Sequence, residues 1–239
     1  MPDVLVHRPR TLEELHLHVE AGNPVMGGGT LLVPRWQREG TPAEVVTLER
    51  ISVATTASGG YLGATATLAA VAEGPFPAGL RAAARRVATI PVRAQATVGG
   101  NLLGWGPRCL LVPLLSLNAR ARVLGGAGGV IVDLALERAV GERRVLVGVE
   151  WRPPLHSTYR RSQRARIGPP EHAVAGALVA RSRAVLLRVA VWRAGTVRSA
   201  SVPAGGNGVL ADLVEQLGGV EAWQRHELAE VVAELEDSR

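Results

Sequence analysis

Two short glycine-rich stretches, Gly27-Gly28-Gly29-Thr30 and Thr97-Val98-Gly99-Gly100-Asn101, hold the residue types best suited to ligand chemistry in this chain. Glycine has no Cβ and reaches positive φ without strain, so such a turn can aim consecutive backbone N–H groups into one concavity. Concavities of that kind hold phosphate oxygens, and two of them suit a diphosphate approached from both sides. The hydroxyls of Thr30 and Thr97 and the amide of Asn101 add further hydrogen-bonding capacity. The spacing differs from the Gly-x-Gly-x-x-Gly fingerprint that joins a strand to a helix in dinucleotide-binding folds.

Other candidate chemistry is thinner. His16 and His18 are two apart on an expected helix and face different ways, so they do not form a chelating pair, and no metal site is expected. No Gly-x-Ser-x-Gly elbow supplies a serine nucleophile. Cys109, the single cysteine, sits beside leucines and reads as core; alone it excludes both an intrachain disulfide framework and a cysteine-ligated cluster. No catalytic residue is assigned.

The elements that must position the two stretches follow from periodicity. Residues 4–7 read as a strand. Thr11 is an N-cap and Glu14 completes a capping box, opening a helix over 12–20 with Leu12, Leu15 and Val19 inward. Residues 24–26 lead as a strand into the first glycine turn, a helix begins near 31–37, and 43–48 is a strand. Residues 61–64 are strand-like, Thr67 caps a short helix, and 80–87 is helical. Pro91 breaks the chain before the second turn. Residues 110–117 form an apolar helix, and 121–124 with 130–133 a hairpin. Beyond these, 144–151, 173–180, 184–193 and 197–202 read as strands, and 210–217 and 227–235 as helices.

Composition narrows the class. At 239 residues, with 47% hydrophobic and 3% aromatic content, the chain buries a core built from small aliphatics. It lacks a run of apolar residues long enough to span a membrane and a signal-peptide start, so the expected compartment is the cytoplasm, with no membrane partner. All 27 basic residues are arginine, giving a net charge of +6. The densest group, Arg152, Arg160, Arg161, Arg164 and Arg166, lacks interleaved aromatics and reads as a solvated segment; nucleic acid is not an expected partner.

Four segments in order resemble the FAD-binding medium subunit of molybdenum hydroxylases, the carbon monoxide dehydrogenase and xanthine dehydrogenase flavoprotein family. Val25-Met26-Gly27-Gly28-Gly29-Thr30-Leu31-Leu32 is similar to its "AGGTDLL" turn, and Val92-Arg93-Ala94-Gln95-Ala96-Thr97-Val98-Gly99-Gly100-Asn101-Leu102 to its "VRNxATIGGNL". Leu62-Gly63-Ala64-Thr65-Ala66-Thr67-Leu68 resembles "IGAxTTL", and Pro9-Arg10-Thr11-Leu12-Glu13-Glu14-Leu15 the opening "PxSLEEAL". The resemblance implies an α+β fold: a two-lobed PCMH-like FAD-binding domain over residues 1–145, with lobes near 1–57 and 58–145, then a small α/β C-terminal domain over 146–239. It implies FAD as cofactor, clasped by Gly27, Gly28, Gly29, Thr30 and Leu31 on one wall and Thr97, Val98, Gly99, Gly100 and Asn101 on the other. It implies an electron-relay role beside an iron–sulfur subunit and a molybdenum-cofactor subunit, with NAD⁺ or oxygen as acceptor. Three departures stand out: Leu31 and Leu110 replace family carboxylates, and the loop before Arg144 is short. Either Trp105 and Cys109 rebuild the ring site, or the chain is a non-catalytic homologue that has lost FAD and serves as a scaffold.

Overall fold

The computed structural model describes residues 4–105, 108–126, 128–162, 172–182, 184–193 and 195–238. The chain opens with β1 (Leu5–His7) and α1 (Leu12–Glu20). Thr11 Oγ1 accepts the Glu14 N–H at 3.2 Å, as expected of an N-cap, but the box does not close: the Glu14 carboxylate takes the N–H of Arg10 at 2.7 Å. Then come α2 (Leu32–Glu39), β2 (Glu44–Val46), α3 (Ser52–Thr55), β3 (Ala57–Ser58), β4 (Tyr61–Gly63), α4 (Leu68–Glu73) and α5 (Ala78–Arg85). Helix α5 has ended before Pro91, as expected, and Pro91 itself lies in the first turn of a further helix, α6 (Ile90–Gln95), where its missing N–H costs nothing. The chain goes on through α7 (Val98–Leu103), α8 (Leu111–Ser116), β5 (Arg120–Leu124), β6 (Ile131–Ala135), α9 (Leu136–Gly141) and β7 (Leu146–Glu150). It ends with β8 (His156–Ser162), β9 (His172–Arg181), β10 (Ala184–Arg193), β11 (Thr196–Pro203), α10 (Val209–Gln216) and α11 (Ala222–Asp237). Helix and sheet are mixed throughout, in keeping with the expected α+β class.

Two compact units emerge, each assembled from separate stretches of chain. The first comprises Met1–Ala70, Thr89–Gly106 and Arg120–Glu150; the second comprises Val71–Ala88, Pro107–Ala119 and Trp151–Arg239.

In the first unit, β1 and β2 pair in parallel, Val6 opposite Val45. Residues 24–26, expected as a strand, make only a single bridge between Val25 and Val46. A five-stranded sheet has the order β3-β4-β7-β5-β6, and its hairpin β5–β6 forms where the alternating pattern places it. Leu15 of α1 is fully buried with Val46, Leu48, Ile51, Ala54, Leu124 and Val147, so this one helical position ties α1 to both sheets. Burial of a leucine of this kind contributes about 1.5–3 kcal/mol.

The second unit is built on the antiparallel sheet β11-β10-β9-β8. One face of β9 and β10 presents Val174, Leu178, Leu187, Val189 and Val191 to Leu213, Leu228, Val231 and Leu235 of α10 and α11. The alternate residues of β9, Ala173, Ala175 and Ala177, are buried as well, and α5 and the wholly buried α8 pack on strands of the same sheet. A strand covered on both faces reads as an apolar run instead of an alternation, which is what residues 173–180 show.

Candidate functional site

The first glycine stretch enters from the edge of the small parallel sheet. Met26 N–H donates to Val46 O at 2.9 Å and Val46 N–H to Pro24 O at 3.0 Å, fixing where the turn begins. The turn ends at α2, whose N-cap Leu31 has no side chain able to accept a hydrogen bond. Gly29 has φ +69, a left-handed conformation glycine adopts without the usual Cβ penalty, and its carbonyl accepts the Val33 N–H at 2.9 Å. Among the described residues, the N–H groups of Gly27, Gly28, Gly29, Thr30 and Leu31 have no acceptor within the chain. Five adjacent backbone donors without an acceptor, just ahead of a helix N-terminus, are a chemistry suited to an anion.

The second stretch differs from the open turn expected of it. It is the N-terminus of α7, and its donors are bonded internally. Val98 N–H reaches Ala66 O at 2.9 Å, Gly99 N–H reaches Ala64 O at 2.8 Å, and Asn101 N–H reaches Thr97 O at 2.8 Å. Gly100 N–H donates to Thr97 Oγ1, the N-cap, at 3.1 Å. The segment resembling "IGAxTTL" is therefore the structural partner of the second glycine stretch. What the second stretch contributes is absence of bulk. A Cβ on Gly99 would meet Ala64 at 3.1 Å, while one on Gly100 meets only Thr97 Oγ1, also at 3.1 Å.

The two stretches pack directly on each other. A Cβ on Gly28 would fall 1.6 Å from the Gln95 carbonyl oxygen, and one on Gly27 would fall 2.5 Å from Thr97 Oγ1. Together they border a cavity of about 340 Å³. Of the residues singled out from sequence, Gly27, Gly28, Gly29, Thr30, Leu31, Thr97, Gly99 and Gly100 line it. Val98 is fully buried and Asn101 does not reach the lining. Leu31 packs against Gly104, whose added Cβ would sit 2.5 Å from Leu31 Cδ1, so this leucine has a packing role where the family pattern carries an acid.

Further walls come from Val25, Met26 and Leu32 beside the first turn, and from Leu48, Leu103, Val145, Leu146 and Arg143, which no motif announced. Trp105 also lines the cavity; it is 46% exposed, with the Arg35 guanidinium 5.0 Å from its ring centroid. Arg143 is the only charged side chain in the lining, and no carboxylate is there among the described residues.

The remaining candidates lie elsewhere. Cys109 and Leu110 are buried in the second unit and do not line this cavity. Burial pushes the Cys109 thiol above its ordinary value, against a smaller pull from Arg161. His18 stacks on His7 with ring centroids 4.1 Å apart, and His7 Nε2 lies 2.7 Å from Glu44 Oε2, which holds the Glu44 carboxyl below its usual range. No group of His, Cys, Asp and Glu able to hold a metal occurs among the described residues. In the arginine-rich segment, Arg160 pairs with Glu230 and Glu234 of α11 at 3.5 and 3.3 Å, whereas Arg164 and Arg166 lie outside the described residues. No helix of the described residues is long and apolar enough to cross a membrane.

Residues 2–150 match the family model described as the FAD binding domain in molybdopterin dehydrogenase. Several solved structures share the fold over the whole chain. A Cu,Mo-CO dehydrogenase chain in its cyanide-inactivated form superposes with a TM-score of 0.72 at 19% identity, covering 100% of both chains. A chain of reconstituted CO dehydrogenase from Oligotropha carboxidovorans gives 0.70 at 20% identity, covering 100% of this chain and 99% of the other. A chain of quinoline 2-oxidoreductase from Pseudomonas putida 86 gives 0.69 at 18% identity, covering 99% and 98%. No curated protein matches the sequence.

Proposed function

The chain belongs to the FAD-binding domain family of molybdopterin dehydrogenases, and from that premise we propose that it is the FAD-binding subunit of a molybdenum-hydroxylase-type oxidoreductase complex. In this reading it relays electrons from iron–sulfur clusters on one partner subunit, fed by a molybdenum-cofactor subunit, to an acceptor such as NAD⁺ or oxygen. The observation that carries the reading is the run of acceptor-free N–H groups from Gly27 to Leu31, residues that line a cavity with no carboxylate among its described lining residues. A diphosphate brings negative charge and several acceptor oxygens, and this wall offers donors and positive potential to meet them.

FAD, once bound, supplies the redox chemistry; the protein supplies binding, orientation and electrostatics. Gly27, Gly28, Gly29, Thr30 and Leu31 hold the diphosphate through backbone donors. Thr97, Gly99 and Gly100 form the facing wall, where the two glycines leave space and Thr97 fixes the helix start, while Val98 anchors that helix in the core and Asn101 follows it behind the lining. Trp105, half exposed in the lining, would offer an aromatic face to a planar ring.

A second reading is favoured by one observation: Leu31 stands where the family pattern has an acid. On that reading the chain keeps the fold as a scaffold without FAD. A visible spectrum of the purified protein, taken before and after adding FAD and desalting, separates the two. Flavin bands near ~450 nm that survive desalting are the expected result. A protein that stays colourless in excess FAD sinks the relay reading and leaves the scaffold.

A further inference from the structure

Helix α9 ends in a motif that normally calls for glycine. Arg144 N–H donates to Ala139 O at 3.1 Å and Arg143 N–H to Val140 O at 3.4 Å, the paired bonds of a Schellman cap, with Arg143 at the left-handed position, φ +51. That position favours glycine because a Cβ crowds the following carbonyl. This chain places an arginine there instead. The side chain is exposed, forms no ion pair or hydrogen bond among the described residues, and lines the cavity bordered by the free N–H groups of Gly27 to Leu31. A residue held in a disfavoured backbone conformation, with a charge the fold leaves unpaired, marks a site where the side chain serves something outside the fold.

Resting on the FAD reading above, we propose that Arg143 is a binding residue that supplies the counter-charge for the cofactor's diphosphate, opposite the backbone donors of the first glycine turn. The chemistry is complementary. The backbone wall gives directional donors of partial charge, and the guanidinium gives a full positive charge with a planar fork matched to phosphate oxygens. With no carboxylate among the described lining residues, none of them competes for the guanidinium. Delivery by a helix cap also places the charge on a fixed element.

Arg143→Gly separates binding from structure, because the two effects have opposite signs. Glycine suits the left-handed cap, so the melting temperature should rise by about 2 °C. FAD affinity, measured by quenching of flavin fluorescence, should fall by about tenfold, the scale of one partly exposed charge-assisted hydrogen bond. Wild-type affinity should weaken as salt is raised, and that dependence should shrink in the variant. ADP, used as the competitor, should lose affinity by the same factor as FAD. An Arg143→Gly protein with wild-type FAD affinity and salt dependence overturns the assignment. Weakened FAD binding with unchanged ADP binding also overturns it, by placing the guanidinium at the flavin end. A wild-type protein that takes up no FAD at any salt concentration overturns the FAD reading itself, and that failure is seen before any variant is compared.

Discussion

The contact between Gly28 and Gln95 is the sharpest packing constraint at the site, and adding a single methyl group there tests it. In Gly28→Ala the new Cβ would stand 1.6 Å from the Gln95 carbonyl oxygen and 2.5 Å from its carbonyl carbon. An ordinary carbon–oxygen contact needs about 3.3 Å, so one backbone segment must retreat by about 1.5 Å or more. Neither segment retreats freely. The first turn is anchored behind by the Met26–Val46 bond, and the second stretch by the bonds from Val98 and Gly99 to Ala66 and Ala64. Overpacking against well-held neighbours costs about 1–3 kcal/mol, and a clash with backbone belongs at the upper end. For a chain of this size about 3 kcal/mol corresponds to a loss of roughly 6–12 °C in melting temperature.

Gly100→Ala is the matched control. Its Cβ meets only Thr97 Oγ1, at 3.1 Å, and it lies in the first turn of α7, where alanine is favoured over glycine by roughly 0.5–1 kcal/mol. Its melting temperature should stay within about 2 °C of wild type. Its methyl group would occupy cavity space, so FAD affinity should fall without loss of fold. The assay is a thermal melt by circular dichroism alongside a flavin fluorescence titration. Gly28→Ala should lose both stability and FAD, Gly100→Ala only FAD. A Gly28→Ala protein that melts with wild type and binds FAD equally would refute the claim that the two glycine stretches are held by backbone contact.

Two further outcomes follow from the geometry. Thr97→Ala removes the buried hydroxyl that accepts the Gly100 N–H, and loss of such a cap should cost about 1 kcal/mol, a fall of roughly 2–4 °C; Thr97→Ser should restore most of it, measured by the same melt. Burial raises the Cys109 thiol and the Tyr61 and Tyr159 phenols, so the folded chain retains protons that the unfolded chain releases. Their contribution to stability is complete below the unfolded values, about 8.5 for the thiol and 10 for the phenols, and declines as pH rises past them. Denaturant melts should show that decline above roughly pH 9, less steep in Cys109→Ala, and a thiol reagent should modify native Cys109 far more slowly than the unfolded chain.

Much of the fold was legible because its signals are local. Thr11 opens α1, Leu12, Leu15 and Val19 repeat at helical spacing, and the long apolar runs of β9 and β10 mark strands buried on both faces. The site was legible as a place, since the glycine motifs name most of the cavity wall. Its inner working was not. Gly28 rests on Gln95 across 67 positions of chain, and no periodicity encodes that approach. Arg143 was invisible for another reason: the left-handed cap it occupies is ordinarily announced by glycine, and an arginine there reads as solvated surface.

The most instructive difference lies between the two glycine stretches, which look alike on paper and act in opposite ways. Both precede a helix. The second begins with Thr97, whose hydroxyl takes the Gly100 N–H while Ala64 and Ala66 take those of Gly99 and Val98. A threonine ahead of two glycines is therefore better read as a helix cap than as a ligand hydroxyl, because a cap and a phosphate cradle compete for the same donors. The donors of the first, Gly27 to Leu31, lie ahead of their helix and stay open. The same leucine that removes an acid from the family pattern also leaves the helix start without a side-chain cap, and no carboxylate lines the cavity among the described residues. Leu31 packs on Gly104 and lines the cavity, so at this position the wall is apolar and adds no charge of its own.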